Sequence, residues 1–522
     1  WSVWCLQRNC TQKNDIFTGK QVYDCLSKVK LKKSIGPDMV PPIVLRNCAS
    51  TLTAPLCMIF NESLSTGVFP SCWKESYIIT LFKSGSRKNA VNYRGVAILP
   101  SIAKVFESIV CKVLTLEMRQ HISEFQHGFI SGRSTSSNLV IFTNYVRNVM
   151  ESGFQVDCIY TDFSKAFDRV QHDVLIAKLS KLGIHSTLLK WLSSYLTGRT
   201  QRVKIRDCIS RRIYVRSGVP QGSHLGPLLF LLFINDVVKV FRFSHCLLFA
   251  DDLKIFMKVR HKLDALRLQF DLNGLNRWCK ENKLNLNVSK CFNVTYHRNQ
   301  TPVLVDYNID GKKLERKLKM KDLGVIFDTK VSFNEHVNYI TSRAYSILGF
   351  IKRNCWEMND VYALKSLYCC FVRSILEYAS VVWNPNYDVH SKRIESVQKQ
   401  FLLFALRKFG WRRQSNLPAY SSRCKLIDLE SLRARRLKAC ALFAYDSLTK
   451  RIDSPKLKSL LEINEQPRLL RNNRIFRLAK HRTNYGNYEP VNNMCRIFNS
   501  VQHLYEPGIS RHRFKMSLKD AW

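Results

Sequence analysis

The spacing of apolar and polar residues divides this 522-residue chain into three stretches. Residues 1 to about 75 carry apolar positions at helical period, with a clear pattern from Ile43 to Leu64. The turn signal Ser34-Ile35-Gly36-Pro37-Asp38 interrupts them, after the basic run Lys28, Lys30, Lys32 and Lys33. From Tyr77 the period shortens. Residues 77–82 and 93–99 read as strands joined by the cationic loop 83–88. Ser101 stands where it would cap a helix carrying Ile102, Val105, Phe106 and Ile109. A glycine-punctuated loop, 126–134, leads into a helix through Asn138, Ile141 and Tyr145. A short strand over 158–161 ends on Asp162, and a helix through Val174, Leu175 and Leu179 follows. In Gln201-Arg202-Val203-Lys204-Ile205-Arg206 the alternation puts cations on one strand face. A loop with three Gly and two Pro, 217–227, precedes an apolar helix. Residues 246–256 read as strand, tight turn, strand, with Asp251 and Asp252 at the tip. A helix over 263–278 and strands over 291–296 and 323–328 come next. Beyond about 330 the pattern is helical at 334–354, 359–379, 390–408 and 428–449, with Trp383-Asn384-Pro385-Asn386 breaking the second from the third.

Charge changes the picture more than composition does. Apolar residues make up 46% of the chain, which supports a folded core, and the length predicts roughly three or four units at ~150 residues each. Lys and Arg number 82 against 40 Asp and Glu, a net +42. A single-sign excess of this size repels itself unless a polyanion is bound. Nucleic acid is therefore the leading partner. An anionic membrane surface is second, but no basic amphipathic helix stands out as an anchor. The longest apolar run, 227–234, falls far short of the ~20 residues that span a bilayer, so no membrane partner is expected. The 18 cysteines follow no metal or disulfide spacing, and Cys369-Cys370 reads as a buried vicinal pair. Reduced thiols place the protein in the nucleus or cytoplasm, or both. A start at Trp1 reads as a piece of a longer frame.

Candidate chemistry centres on Asp251-Asp252. Two adjacent anions between apolar strands repel and lose hydration, and a divalent cation such as Mg²⁺ relieves both. An ordinary Asp-Asp turn is the competing reading. Asp162, at a strand end, is a natural third ligand, whereas Asp168 and Asp173 read as helix-surface or capping groups. The basic hairpin loop around Lys83 suits a triphosphate or plain solubility. Arg133 lies near a helix start, where anions are welcome. Glycines such as Gly222 let a backbone approach a planar or phosphorylated ligand. His224 reads as structural or surface. Arg468, Arg471, Arg474 and Arg477 form a stripe at three-residue spacing on one predicted helix face. Such a face suits a duplex backbone.

Taken together and in order, these segments resemble the reverse transcriptases of non-LTR (LINE-type) retrotransposons, most like jockey-type elements. The resemblance spans roughly residues 25 to 400. It is carried by Tyr93-Arg94 through Pro100 with Lys104 to Glu107, Gln126 through Ser134, Asp162-Phe163-Ser164-Lys165-Ala166-Phe167-Asp168, Gly218 through Phe230, Phe249-Ala250-Asp251-Asp252, Leu284 to Lys290, Leu323-Gly324-Val325 with His336, and Leu376 to Pro385. It implies a right-hand α/β (α+β) polymerase: an N-terminal helical extension (1–75), fingers and palm with an antiparallel sheet (76–330), a helical thumb (331–450) and a basic C-terminal region (451–522). Asp162, Asp251 and Asp252 would be catalytic and hold two Mg²⁺, with Mn²⁺ as an alternative, and Phe163 would add a backbone carbonyl. Lys83 and Arg94 would meet the triphosphate. Gln221 would line the nucleotide pocket, Phe167 would exclude a ribose 2′-OH, and Lys290 falls near the family's proton donor to pyrophosphate. Arg133, Gly222, Arg471, Arg474 and Arg477 would contact nucleic acid. The partners implied are an RNA template, a DNA primer or target, and dNTPs; oligomeric state stays open. No carboxylate set in 400–522 reads as an RNase H. Two other readings remain: an inactive or domesticated copy that only binds RNA or DNA, and an RNA polymerase on the same palm, against which Phe167 speaks.

Overall fold

A computed structural model describes residues 16–31, 35–298, 301–408, 418–464 and 474–522. Lys32, Lys33, Ser34, Arg468 and Arg471 lie outside the described residues. The N-terminal helical pattern forms α1 (Gly19–Ser27), α2 (Pro42–Asn47) and α3 (Ala49–Thr66). Thr18 and Gln21 cap α1 reciprocally, and Gly67, at φ 72°, ends α3. α4 (Ser101–Met118) starts at Ser101, which does not cap it. Its backbone N–H donates instead to Asp38 Oδ2 at 3.1 Å, and its hydroxyl donates to Val40 at 3.0 Å. The cap comes from 63 residues upstream, so local sequence pattern misassigns it.

β1 (Glu75–Phe82) and β2 (Tyr93–Ile98) are the two strands of the basic hairpin. After α5 (Thr135–Glu151), β3 (Gln155–Thr161), α6 (His172–Lys181) and α7 (Ser186–Leu196), β4 (Thr200–Ile205) returns to pair in parallel with β1. β5 (Cys208–Ile209) and β6 (Ile213–Tyr214) flank it. One β4 cation is neutralised here: Arg202, together with Arg212 just before β6, reaches Glu75, at 3.1 and 2.8 Å.

α8 (Leu225–Ile234) is apolar all round and buried except at the half-buried Pro227, as such a helix must be. β7 (His245–Phe249), β8 (Asp252–Val259), α9 (Lys262–Glu281) and β9 (Phe292–Tyr296) follow, then the short strands β10 (Asn308–Ile309), β11 (Lys312–Lys313) and β12 (Glu315–Arg316), and the hairpin β13 (Lys319–Asp322) and β14 (Val325–Asp328). The central sheet runs β12-β9-β3-β8-β7. It is a wall between two cores. Ile159, Leu253, Ile255 and Met257 face one, with α4, α7, α8 and α9. Val156, Cys158, Tyr160, Phe256 and Tyr296 face the other, with α5 and the later helices. Burial on both faces explains why β3 is buried along its whole length.

The remaining chain is helical: α10 (Asn334–Asn354), α11 (Val361–Leu367), a π-helical turn (Tyr368–Arg373), α12 (Ser374–Glu377), α13 (Ser380–Trp383), α14 (Asp388–Lys408), α15 (Tyr420–Leu426) and α16 (Leu432–Leu448). The π turn interrupts the single helix expected over 359–379. It leaves Cys370 exposed and Cys369 half-buried, so the vicinal pair is not the buried one expected. The arginine stripe also differs. Arg474 and Arg477 lie on extended chain, where Phe476 bridges Ile463. Asn499 and Gln502 side chains bond the Phe476 and Ile475 backbone, replacing the helical ladder and burying Phe476 completely. Leu432, Tyr445, Met494, Phe498 and Phe514 share one core across 331–522. No described helix is long and apolar enough to cross a membrane.

Candidate active site

Phe249 pairs with Asp252, so the two-residue turn between β7 and β8 is Ala250-Asp251, and Asp252 is the first residue of β8. The tip therefore sits one residue earlier than expected. Ala250 has φ 57°, at the position where a type II′ hairpin turn usually takes Gly. Next door, Thr161 pairs with Leu253. That register brings Asp162, one residue past β3, level with Asp252.

A third segment closes on Asp162. Asn287 donates its backbone N–H to the Asp162 carbonyl at 2.7 Å, and its carboxamide donates to Oδ2 at 3.3 Å. Lys290 Nζ stands 3.6 Å from the same oxygen. Ser164 N–H donates to Asn285 at 2.8 Å, bridging Phe163 to Leu286. Cys291 is buried and accepts from the Asp162 N–H at 3.5 Å. A cavity of about 380 Å³ opens here, lined by Asp162, Asp252, Ser289, Lys290, Lys317 and Lys321.

The carboxylates feel one another. Burial, then the charges of Asp251, Asp322 and Asp162, push the Asp252 carboxyl up to about 6. Asp251 is also raised, by burial first and by Asp162, against the pull of its own backbone N–H, Arg94 and Lys83. Lys83 and Arg94 are exposed on the β1–β2 hairpin, so that hairpin projects its charge onto the turn. Among the described residues no three His, Cys, Asp or Glu side chains form a group that could hold a metal ion. The donor set nonetheless suits Mg²⁺, which is commonly held by one or two carboxylates plus substrate phosphates rather than by an all-protein cage. Carboxyls raised by burial and by neighbouring carboxylates are what a cation would relieve.

The glycine-rich loop docks beside this site. Val219 N–H donates to the Phe167 carbonyl at 2.9 Å, and Ala97 N–H donates to the Gln221 carbonyl at 2.8 Å. Gly222, at φ 133°, would put a Cβ 2.4 Å from the Ala97 carbonyl oxygen. Its closest approach within the protein is thus to β2. The half-buried Phe167 ring stacks on Phe230 at 4.3 Å, and the Phe163 ring is buried in the core.

Other expected contacts do not gather here. Arg133 spends its guanidinium on carbonyls of Ser123, Gln126 and Asp453 at 2.7–2.8 Å, so it fastens loops. Arg474 and Arg477 are exposed, and Arg477 lies 3.8 Å from Glu462. His224 is exposed.

Sequence reading passed over two features. Gln126 bonds the Ala250 backbone. Lys254 forms a buried ion pair with Asp322 behind Asp252. Lys254 did leave a signal, a lone charge inside the apolar strand Leu253-Lys254-Ile255-Phe256.

A mixed α/β fold with carboxylates from two neighbouring antiparallel strands under a basic hairpin defines a class, the nucleotide polymerases. The reverse transcriptase (RNA-dependent DNA polymerase) family matches residues 86–350, and the chain belongs to it. It is similar to a probable RNA-directed DNA polymerase from transposon BS of Drosophila melanogaster, 28% identical over 73% of this chain and 44% of that protein. It is also similar to an RNA-directed DNA polymerase from mobile element jockey of Drosophila funebris, 30% identical over 74% and 44%. A probable RNA-directed DNA polymerase from transposon X-element of Drosophila melanogaster is 27% identical over 73% and 43%. The resemblance to jockey-type elements therefore stands. The chain spans less than half the length of these curated relatives.

Proposed function

We propose that this chain is the polymerase core of an RNA-directed DNA polymerase, adding dNTPs to a primer 3′-OH on an RNA template. The observation that carries the reading is the register that sets Asp162 level with Asp252, beside Asp251, in a member of this family. On this reading β1–β2 and the surrounding helices are fingers, the central sheet is the palm, and α10 onward is the thumb.

Asp162, Asp251 and Asp252 would hold two Mg²⁺ ions, with Mn²⁺ as an alternative. When bound, such ions activate the attacking oxygen and steady the leaving pyrophosphate. The protein's own groups do the rest. Lys83 and Arg94 pull the triphosphate over the turn. Gln221, on a loop fastened to β2 and to Phe167, lines the base and sugar. Phe167, backed by Phe230, closes the space where a 2′-OH would sit. Lys290, beside Asp162, is placed to pass a proton to the departing pyrophosphate. The net charge of +42 supports an extended nucleic-acid track, whose affinity falls steeply with salt. None of the sixteen described cysteines forms a disulfide, which supports a nuclear or cytoplasmic setting.

The test is primer extension on a defined RNA template, with dNTPs and NTPs in parallel. The expected result is dNTP-dependent extension lost in Asp251→Asn plus Asp252→Asn. RNA binding without extension by the intact chain would instead mark a binding remnant. Robust NTP use would mark an RNA polymerase.

A further inference from the structure

The turn that carries Asp251 is strained and is held from outside its own hairpin. Ala250 is a non-glycine residue at φ 57°, a conformation that persists only where the surroundings fix it. The fixing group is Gln126. Its Oε1 accepts from the Ala250 N–H at 2.9 Å, and its Nε2 donates to the Ala250 carbonyl at 3.2 Å. One carboxamide thus takes both backbone groups of the residue before Asp251, as a paired strand residue would. Oε1 also accepts from Gly128 N–H at 2.8 Å.

The clamp is itself braced. Gln126 is 3% exposed. His127 N–H donates to Leu248, and Leu248 N–H donates to Phe125, both at 2.9 Å, so residues 125–127 run as a short strand along β7. Asn138 donates to the same Leu248 carbonyl at 3.0 Å. A Cβ on Gly128 would lie 2.3 Å from Ala250 N, so only glycine lets the loop lie this close. From the outer side, Arg133 grips the Gln126 carbonyl at 2.7 Å and the Asp453 carbonyl at 2.7 Å, and Asp453 N–H donates to Gly132 at 2.9 Å. Hydrogen bonds therefore run without a gap from residue 453 to the turn.

We propose that Gln126 is a positioning residue for the reaction: its carboxamide sets the Ala250 peptide and, through it, the places of Asp251 and Asp252. The proposal rests on the polymerase reading above. A carboxamide offers a donor and an acceptor at once without titrating. In Gln126→Glu the carboxyl can replace both bonds only while it is protonated; once ionised, it sets an oxygen against the Ala250 carbonyl and adds charge beside Asp251. In Gln126→Met both bonds vanish at similar volume. Catalytic groups displaced by about 1 Å can lose roughly 100-fold in rate.

The experiment compares the full chain with Gln126→Met, Gln126→Glu and Gly128→Ala in steady-state primer extension, with primer–template affinity, melting temperature and hydrogen exchange of the 246–254 segment as parallel readouts. We expect kcat to fall roughly 100-fold, with primer–template affinity unchanged and Ala250 exchange accelerated. Wild-type kcat in Gln126→Met overturns the proposal. So does a loss of affinity and melting temperature that matches the loss of rate. If the wild type fails to extend at all, the polymerase reading falls. Exchange still decides the clamp: unchanged Ala250 exchange in Gln126→Met removes it, and accelerated exchange keeps it.

Discussion

Lys290 Nζ lies 3.6 Å from Asp162 Oδ2, joining the segment before β9 to the end of β3. Both side chains are well exposed, so their attraction is worth at most about 1 kcal/mol. A cation at Asp162 would compete with it. Lys290→Met should therefore tighten the Mg²⁺ requirement for extension by no more than about fivefold. If Lys290 also delivers the proton to pyrophosphate, kcat should fall roughly 100-fold. A Mg²⁺ titration of extension rate separates the two effects. Unchanged kcat would leave Lys290 a surface cation.

The Phe167 ring stacks on Phe230 at 4.3 Å and meets Phe129 edge-on at 6.2 Å. Held from two sides, it has little room to turn aside for a 2′-hydroxyl. Phe167→Val should reduce discrimination between dNTP and NTP by roughly 100-fold, the scale a shaped apolar pocket achieves against an added hydroxyl. Competitive incorporation of dCTP against CTP measures it. Equal selectivity in the variant would place the ring in the core and outside the nucleotide site.

These two predictions use residues that the chain announces locally, and much of the fold announces itself the same way. Short apolar runs rich in β-branched and aromatic residues marked β1, β2 and β8, and period 3.6 marked α9, α10 and α14, helices that each bury one face. What stayed hidden is contact across long sequence distance. Nothing near Gln126 says that its carboxamide meets Ala250, 124 residues away. Nothing near Asp38 says that it caps α4. Arg133 looked available because a helix start attracts anions, yet three carbonyls had already claimed it. The arginine spacing at 474–477 matched a helix, but Asn499 and Gln502 offered the backbone other partners.

Two buried histidines set an acid limit on stability. Burial, with Arg133 and Lys254 nearby, holds His127 down at about 3. Burial, with Lys321, holds His336 down at about 4, where it accepts from Ile326 N–H at 3.2 Å. In the unfolded chain a histidine takes its proton near 6.5. Above that pH neither state is protonated and the stability is fully present. As pH falls below it, the unfolded state binds the extra protons, and stability drops by up to about 1.4 kcal/mol per pH unit for each histidine until the folded values are reached. Urea unfolding at pH 7 and pH 4.5 should show the loss. His336→Gln, which keeps an acceptor for Ile326, should shed one histidine's share. An identical pH slope in that variant would refute the assignment.

Arg147, on α5, decides whether the C-terminal region is a tail or part of the body. The residue is 6% exposed. It donates to the Val331 carbonyl at 3.0 Å and the Tyr488 carbonyl at 2.8 Å, and it lies over the rings of Tyr485 at 4.8 Å and Phe333 at 5.4 Å. One guanidinium thus ties the helix behind the central sheet to the start of α10 and to residues 484–500. Arg147→Met keeps the aliphatic stem but strands the buried Val331 carbonyl and the half-buried Tyr488 carbonyl. Charge-assisted hydrogen bonds of this kind are worth about 1.5–3 kcal/mol each, so the variant should lose about 3–6 kcal/mol. The loss should be local at first. Limited proteolysis should cut within 474–500 before the central sheet opens, and KM for primer–template should rise more than kcat falls, because the Ala250-Asp251 turn is braced separately through Gln126. An independent basic tail would respond differently: the melting temperature and the order of cleavage would not change, and only the salt dependence of RNA binding would report on the region.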